Sequence, residues 1–470
     1  MKREIATGLM FFLIINQSLL AQTKLTLQES IDIAIKNNIE VKQRDLLAES
    51  AKVNYKQAKT NLFPTVNGNI SHGINQGRSI DPFTNSFVNQ KINYASYGVG
   101  SDVILFNGLT LQNAIKQNAF AYDAAKMELQ QAKDNLTLAV ILAYLQVLSN
   151  EDQVVLSNQQ VMVTQVQIDR LEKLNREGAI NPPQLFDMRG QQKEAELNRV
   201  TAQNALASSK LTLTQLMNIA YDPSLTLEKI DEGELLQKFP SSFEEVFNNA
   251  TDALAIVKAA ELRRKSAEAG VKLSRGALFP TIALSGNLNS NYSSAASQDI
   301  FTNITEEPTS SYVVIGGNKQ PVFVSQRNFA TQKINYSNQL KNNVFSNIGI
   351  SLRLPIFNSF VARNRIKLAT INLKASSLTL ENTKIQLRQE VEQAYLNMSN
   401  AFERYKILLE QVAAYGESFR AAEVRFNAGV GTSIDYMIAK DNYDRSNINL
   451  VSAKYDYLLR KKILEFYSRR

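Results

Sequence analysis

The chain contains the same plan twice, and this duplication limits its fold more than any other feature of the sequence. Residues 41–65 match residues 257–281 at a constant offset of 216, with ten of those 25 positions identical. A second block matches without gaps at an offset of 251, where Phe106-Asn107 falls on Phe357-Asn358 and Gly178 falls on Gly429. A period this long indicates two copies of one large unit rather than a solenoid of short repeats.

The two offsets divide the chain and locate an insertion. They differ by 35 (251 − 216), so the second copy carries 35 extra residues between Thr281 and Asn347. That stretch is rich in Ser, Asn, Thr and Gln, and we expect it to form an exposed loop. The predicted segments are a first repeat over 22–220 (β-hairpin about 63–106, long helix about 108–176), a linker over 221–240, and a second repeat over 241–470 (β-hairpin about 279–357 with the long loop, long helix about 359–427).

The first 21 residues predict export. Lys2 and Arg3 precede an apolar run, and a short polar stretch ends at Ala21. This order is typical of a secretory signal peptide cut after Ala21. A membrane anchor is the alternative, but a spanning helix needs about 20 apolar residues and this run is shorter.

The residue content argues against most enzyme classes. The chain has no Cys, which excludes disulfides, thiolate metal sites and a Cys nucleophile. Its single His, His72, makes imidazole-rich metal sites improbable, and we expect it to be a polar residue of the first hairpin. The formal charge of +8 is dispersed and does not indicate nucleic acid. We therefore predict no catalytic, cofactor or metal site.

The helical segments are unusually long. Residues 109–176 contain neither Pro nor Gly, and a helix of that length would extend for about 100 Å. Apolar residues recur there at strict sevens, a period that imposes a left-handed supercoil. The sevenfold positions are Val140, Val147, Val154, Val161 and Ile168, with Val391, Met398, Tyr405, Val412 and Phe419 in the second repeat. The pattern favours long coiled-coil hairpins over an ordinary bundle.

Between the helices the sequence alternates with period two. Ile348, Ile350, Leu352, Leu354 and Ile356 interleave with small or charged residues, among them Ser351 and Arg353. This is typical of a transmembrane barrel strand, although a soluble hairpin with one buried face fits the alternation equally well. The export signal favours the membrane. Four strands cannot close a barrel, so closure needs several chains: two would give eight strands and three would give twelve.

Each repeat contains, in this order, a helix, the sequence Leu-Phe-Pro-Thr, a hairpin with Phe-Asn, a long helix and a Gly-containing turn. This order, present twice, resembles the TolC-like outer-membrane efflux proteins. The resemblance covers about 25–467, and Ala21-Gln22 with the Gly-Arg-Ser-Ile-Asp-Pro stretch at 77–82 resembles the Bacteroidetes branch. It implies a mainly α chain with a transmembrane β-barrel part, four strands per protomer and a twelve-stranded barrel in a homotrimer. It also implies an outer-membrane location extending into the periplasm, contact with outer-membrane lipid, a periplasmic adaptor (membrane fusion) protein and an inner-membrane pump.

The implied function is export of small molecules or polypeptides by a tripartite efflux or type I secretion system. The relatives' periplasmic gate has two carboxylates one helical turn apart; Asp435 matches the first, and Ile438 stands at the second. Asp435 also fits a capping box with Thr432. The remaining predicted positions are the adaptor-contact tips Gly178, Ala179, Gly429, Val430 and Gly431, and the lumen-facing Asp102, Ser351 and Arg353. A non-channel periplasmic coiled-coil scaffold or surface structural protein is the alternative.

Overall fold

A computed structural model describes residues 24–80, 85–89, 91–230 and 239–468. The predicted signal peptide over 1–21 lies outside the described residues, as does the 231–238 part of the predicted linker. The described part of the linker packs on the helices: Leu25 and Leu227 form an isolated parallel bridge, and Tyr144 Oη donates to the carbonyls of Leu25 and Glu228 at 2.9 and 2.8 Å.

The helices occur in pairs that repeat the two sequence offsets residue for residue. The offset of 216 relates α1 to α5 and α2 to α6, and the offset of 251 relates α3 to α8 and α4 to α9. The bounds are α1 Leu27–Asn37, α2 Ile39–Thr60, α3 Thr110–Arg176, α4 Pro182–Leu216, α5 Phe243–Ala253, α6 Ala255–Gly276, α8 Val361–Asn427 and α9 Ser433–Tyr467, with α7 Tyr336–Asn342 in the insertion. None of the helices within the described ranges is long and apolar enough to cross a membrane.

Capping residues define where these helices begin. Thr26 and Ser242 form reciprocal capping boxes with Glu29 and Glu245 at the starts of α1 and α5. Each box satisfies two backbone donors that the first turn leaves free. Helix α4 begins with Pro182 at its first position, where a missing N–H costs nothing.

The predicted heptad positions form the helical core. Val140, Val147, Val391 and Met398 are fully buried, and the other positions of both series are buried or half-buried. α3 and α8 each contain 67 residues, as long as the uninterrupted sequence predicts. The long helices therefore hold together by a continuous apolar seam rather than by local propensity.

In the part of the chain that the structure describes, eight strands form three sheets. The main sheet is antiparallel with the order β1-β4-β5-β8, so that β4 and β5 pair across the two repeats. Two other hairpins, β2 with β3 and β6 with β7, extend from it along the chain. The bounds are β1 Thr65–Asn75, β2 Arg78–Ile80, β3 Phe87–Asn89, β4 Ile92–Phe106, β5 Thr281–Ser293, β6 Ser297–Ile315, β7 Asn318–Lys333 and β8 Phe345–Arg353.

The insertion is not the loop that its composition predicts. It forms strands β6 and β7, of 19 and 16 residues, followed by α7. Gly316 and Gly317 make the tight turn between them, both with positive φ, as a two-residue hairpin turn requires. Polar residues pair here as readily as apolar ones because the hairpin is exposed on most of its length, and composition alone did not separate it from a loop.

Compact units cut across the sequence repeats. Of the described residues, one unit contains 24–53, 119–267 and 372–468 and is helical. The other contains Asn54–Asn118 and Glu268–Ile371 and holds the whole four-stranded sheet. Each unit therefore takes segments from both repeats, as a fold does when duplicated halves intertwine.

Candidate functional site: sheet faces and helical tips

The predicted lumen residues lie on one face of the main sheet. Asp102 pairs with Thr65 and Ser285, and Thr65 Oγ1 donates to Asp102 Oδ2 at 2.7 Å. Ser351 pairs with Ala283 and Arg353 pairs with Thr281. Because residues two apart on a strand share a face, the register brings Asp102, Ser351 and Arg353 together on a single polar face.

Asparagine and glycine occupy the middle rows of this polar face. Asn67, Gly100, Asn287 and Asn347 form one row across all four strands. A Cβ at position 100 would lie 2.8 Å from Asn287 Oδ1, so the asparagine side chain lies flat across the glycine. The next row repeats the arrangement, with Asn289 across Gly98. These two rows thus present uncharged amides close to the strand backbones.

The opposite face of the sheet is apolar and exposed. Ile348 is 83% exposed and Ile70 is 78% exposed, although both are aliphatic. An apolar face of this extent on a soluble chain would be a liability, and it marks a surface that a membrane or another protein covers. The members of this face are Val66, Ile70, Ile74, Val99, Val103, Ile282, Leu284, Leu288, Ile348, Ile350 and Leu352.

The predicted tips are tight turns that join the long helices to the next helices. Gly178 and Gly429 have φ of 70° and 77°, the left-handed conformation that ends a helix. The next residue in each turn closes it by a backbone hydrogen bond: the N–H groups of Ala179 and Val430 donate to the carbonyls of Leu174 and Arg425 at 2.8 and 3.1 Å. Gly431 has an ordinary φ, but a Cβ there would lie 3.0 Å from the Phe426 nitrogen.

The two tips meet around a small core and an open cleft that the sequence did not predict. Arg170 donates to the side-chain and backbone oxygens of Asn427, which joins one tip to the other. A cleft of about 480 Å³ lies between the turns, lined by both glycines, Ile180 and Phe426 among others. The core beneath contains Ile168, Leu171, Leu185, Met188, Phe426 and Tyr436.

Buried polar groups lie close to the tips. Tyr436 is fully buried, and its hydroxyl has no hydrogen-bond partner within the described residues. Burial raises the pKa of this hydroxyl well above its usual value. About two helical turns further on, burial also raises the pKa of the Asp444 carboxyl. The positive charge of Lys440, whose Nζ lies 2.5 Å from Asp444 Oδ2, acts in the opposite direction and lowers this pKa. The sequence spacing did not single out either group, since Tyr436 is an apolar-core position of α9 and Asp444 is a half-buried one.

The predicted gate residues begin α9. Thr432 is the N-cap of this helix: its Oγ1 accepts from the Asp435 N–H at 3.1 Å and donates to Asp435 Oδ2 at 2.7 Å. The Thr432 half of the expected capping box is therefore present, while the Asp435 carboxylate accepts from the Thr432 hydroxyl rather than from the Thr432 backbone N–H. Ile438 follows one turn later and is 57% exposed. Ile434, one turn before Ile438, is 60% exposed.

No group of three or more His, Cys, Asp or Glu side chains is placed to hold a metal ion within the described part of the chain. His72 lies on β1, on the apolar face, opposite Ala95.

Comparison with known proteins gives one family. The family model described as "Outer membrane efflux protein" matches residues 30–218, 255–343 and 329–466. The curated Outer membrane protein TolC of Escherichia coli (strain K12) is 22% identical over 386 residues, which are 77% of this chain and 72% of that protein.

Solved outer-membrane proteins have the same fold. VceC of Vibrio cholerae superposes with a TM-score of 0.73 at 13% identity, covering 94% of this chain and 96% of that one. The CmeC outer membrane channel of Campylobacter jejuni gives a TM-score of 0.72 at 15% identity, covering 94% and 85%. These matches confirm the predicted fold class, with duplicated long helical hairpins and a barrel sheet of four strands per chain.

The family match spans both repeats, and its members are channel proteins rather than enzymes. It confirms the localisation that the sequence predicts, in the outer membrane and extending into the periplasm. The chain belongs to the outer membrane efflux protein family.

Proposed function

We propose that the chain is one subunit of a trimeric outer-membrane channel in a tripartite efflux or type I secretion system, exporting small molecules or polypeptides. The observation that carries this proposal is the main sheet, which combines an exposed apolar face, a polar face and two outer edges. Its partners are two further copies of the chain, outer-membrane lipid, a periplasmic adaptor protein and an inner-membrane pump.

The edges require closure by other chains. β1 and β8 each pair on one side only within the described residues. Unpaired backbone donors and acceptors are not tolerated in hydrocarbon, so each edge needs a neighbouring strand. Three copies give twelve strands, enough to leave an open interior, whereas the interior of an eight-stranded barrel is filled by its own side chains.

In such a barrel the two faces of the main sheet contact different environments. The apolar face, with Ile348 and Leu352, meets lipid, and the polar face, with Asp102, Ser351 and Arg353, lines the lumen. Amides lying flat over Gly98 and Gly100 make the middle rows of this wall uncharged and free of protruding side chains. Such a wall suits a conduit that passes cargo without holding it.

The tips are the proposed site of adaptor contact. The turns at Gly178-Ala179 and Gly429-Val430-Gly431 flank the cleft described above, and Val430 is 72% exposed. An exposed aliphatic side chain beside an open cleft, on a turn held by backbone hydrogen bonds, is available to a partner without loss of folding contacts.

Asp435 and Ile438 form the proposed gate. In a trimer each appears three times around one axis, which gives a ring of carboxylates and, one turn away, a ring of isoleucines. A carboxylate ring attracts cations and repels anions. With Ile438 at the second position, the ring holds half the charge of a two-carboxylate gate, and we expect a weaker charge filter.

A coiled-coil scaffold without a pore accounts for the heptads but leaves the exposed apolar sheet face and its edges unexplained. Planar bilayers separate these functions. We expect the detergent-extracted trimer to open cation-preferring channels, and Asp435→Asn to lower the preference for cations while the trimer melts at nearly the same temperature. Asp45→Asn, an exposed carboxylate on α2, is the control for loss of one charge elsewhere.

Two results would count against the proposal. Protein that stays in the soluble fraction and opens no channels contradicts the channel itself. An Asp435→Asn trimer that melts earlier but keeps its selectivity leaves Asp435 as a helix cap only.

A further inference from the structure

Helix α7 is a fixed part of the sheet unit. It follows the β6–β7 hairpin and packs on the end of β5. The buried Gln339 accepts from the Ser293 N–H at 2.9 Å and donates to the Ser293 carbonyl at 3.0 Å. Ser290 Oγ donates to the Leu340 carbonyl at 2.8 Å. These bonds hold α7 in one position against the strand.

Tyrosine contacts show which face of the sheet α7 covers. The Tyr336 ring lies 4.6 Å from the Tyr292 ring, and its hydroxyl lies 2.5 Å from that of Tyr97. Tyr97 pairs with Ser290, and Tyr292 pairs with Ala95. By the strand alternation, both tyrosines share a face with Leu284 and Leu288. Helix α7 therefore lies on the apolar face and not over the polar one.

Position along the strand sets the depth of α7. The row of Phe106, Ile282 and Leu352 is the first row on the apolar face, counted from the ends of the strands that lie nearest in sequence to α3, α6 and α8. Ser290 and Tyr292 lie eight and ten residues beyond Ile282, which is about 27 and 34 Å along a strand. At a barrel tilt of about 40°, these distances become about 21 and 26 Å along the membrane normal. The apolar band of an outer-membrane barrel is about 25 Å tall.

The tyrosines thus lie where the apolar band ends, at the end of the sheet opposite to Phe106 and Leu352. Tyrosine suits that level because its ring is apolar and its hydroxyl is polar. Exposed Asn338 and Lys341 on α7 add an amide and an ammonium group beside it, and His72 lies in the same row as Tyr292. The set offers hydrogen-bond donors and one positive charge to a layer of phosphate and hydroxyl groups.

We propose that α7, with Tyr97, Tyr292 and Tyr336, is a seat for the phosphorylated lipid headgroups of the outer leaflet and fixes the depth of the barrel in the membrane. The proposal rests on the barrel function above. The described residues of the first repeat contain no counterpart of α7, so each protomer carries one seat, and a closed trimer carries three.

Depth-dependent quenching tests the seat. The chain has no Trp, so a single introduced Trp reports on one position. Tyr336→Trp places it on α7, Ile348→Trp places it within the apolar band, and Asn67→Trp places it on the polar face. The purified full-length protein is reconstituted in phosphatidylcholine vesicles brominated either near the headgroup end or near the middle of the acyl chain.

We expect Tyr336→Trp to lose most fluorescence to the shallow bromines, Ile348→Trp to lose most to the deep ones, and Asn67→Trp to lose little to either. Leu340→Trp, on the same helix, replaces Tyr336→Trp if the latter does not assemble. The seat is overturned if the α7 reporter is unquenched, or is quenched mainly by deep bromines, while Ile348→Trp behaves as expected. If Ile348→Trp is also unquenched, the proposed barrel fails and not the seat alone.

Discussion

At the scale of single residues, neighbouring positions on β8 face different solvents. Leu352 shares the apolar face with its partner Ile282, and Ser351 shares the polar face with Ala283. An arginine that faces lipid costs about 2–4 kcal/mol near the middle of the membrane and up to about 1 kcal/mol at the edge of the apolar band, where Leu352 lies, whereas one in a hydrated lumen costs little. We therefore expect Leu352→Arg to impair assembly and Ser351→Arg mainly to narrow the channel.

Two measurements check this pair of variants: the yield of heat-modifiable trimer in the outer membrane, and single-channel conductance. Ser351→Arg should give normal yield with lower conductance. Equal yields, or a lower yield for the serine variant, would show that the strand phase is reversed.

The phase of β8 was readable from sequence because five aliphatic residues alternate without interruption from Ile348 to Ile356. On β4 the polar face is occupied by Gly98 and Gly100, whose partners Asn289 and Asn287 supply the side chains. Glycine carries no polarity signal, so the amide lining depends on pairing between strands that are almost 190 residues apart. No local pattern contains that information.

At the scale of elements, the tip turns are the clearest case for separating folding from binding. The turn at Gly429 is completed by backbone hydrogen bonds, and the Val430 side chain points into solvent. We expect Val430→Asp to leave the trimer intact and to weaken retention of the adaptor in co-purification. Val430→Thr, which keeps the shape without the charge, should retain it.

Unchanged adaptor retention by Val430→Asp would leave the turn with a structural role only. A trimer that fails to form would instead assign the side chain to folding, against its exposure.

Helix lengths were predictable because Gly and Pro mark their ends, and the 67-residue bounds of α3 and α8 agree with that reading. The short junctions that precede these two helices were not predictable from the sequence. Leu109 and Phe360 occupy equivalent positions with φ of 63° and 60°, a conformation that costs bulky residues roughly 1–2 kcal/mol. Asn107 stabilises the junction at Leu109, because its carbonyl and its side chain accept hydrogen bonds from the first turn of α3. The repeated Phe-Asn motif marks this junction.

At the scale of the whole molecule, duplication explains the architecture. The two offsets predicted equivalent helices, and the structure keeps both offsets at every helix bound outside the insertion. The compact units were beyond the reach of the sequence, because β4 and β5 join the repeats through pairing that only the folded chain makes. The same pairing leaves β1 and β8 as the outer strands. The proposed channel requires that strands of neighbouring chains pair with them.

Cysteine cross-linking between these outer strands tests the central claim most directly, because the chain has no native Cys. Ile70→Cys on β1 is combined in turn with a Cys at Ile348, Ile350 or Leu352 on β8, all on the apolar face. Ile70→Cys with Tyr97→Cys, a pair within one chain, is the control for oxidation. We expect one combination to give covalent dimers and trimers and no larger species. Monomers alone in every combination, with the control pair oxidised, or a ladder that continues beyond the trimer would contradict a barrel closed by three chains.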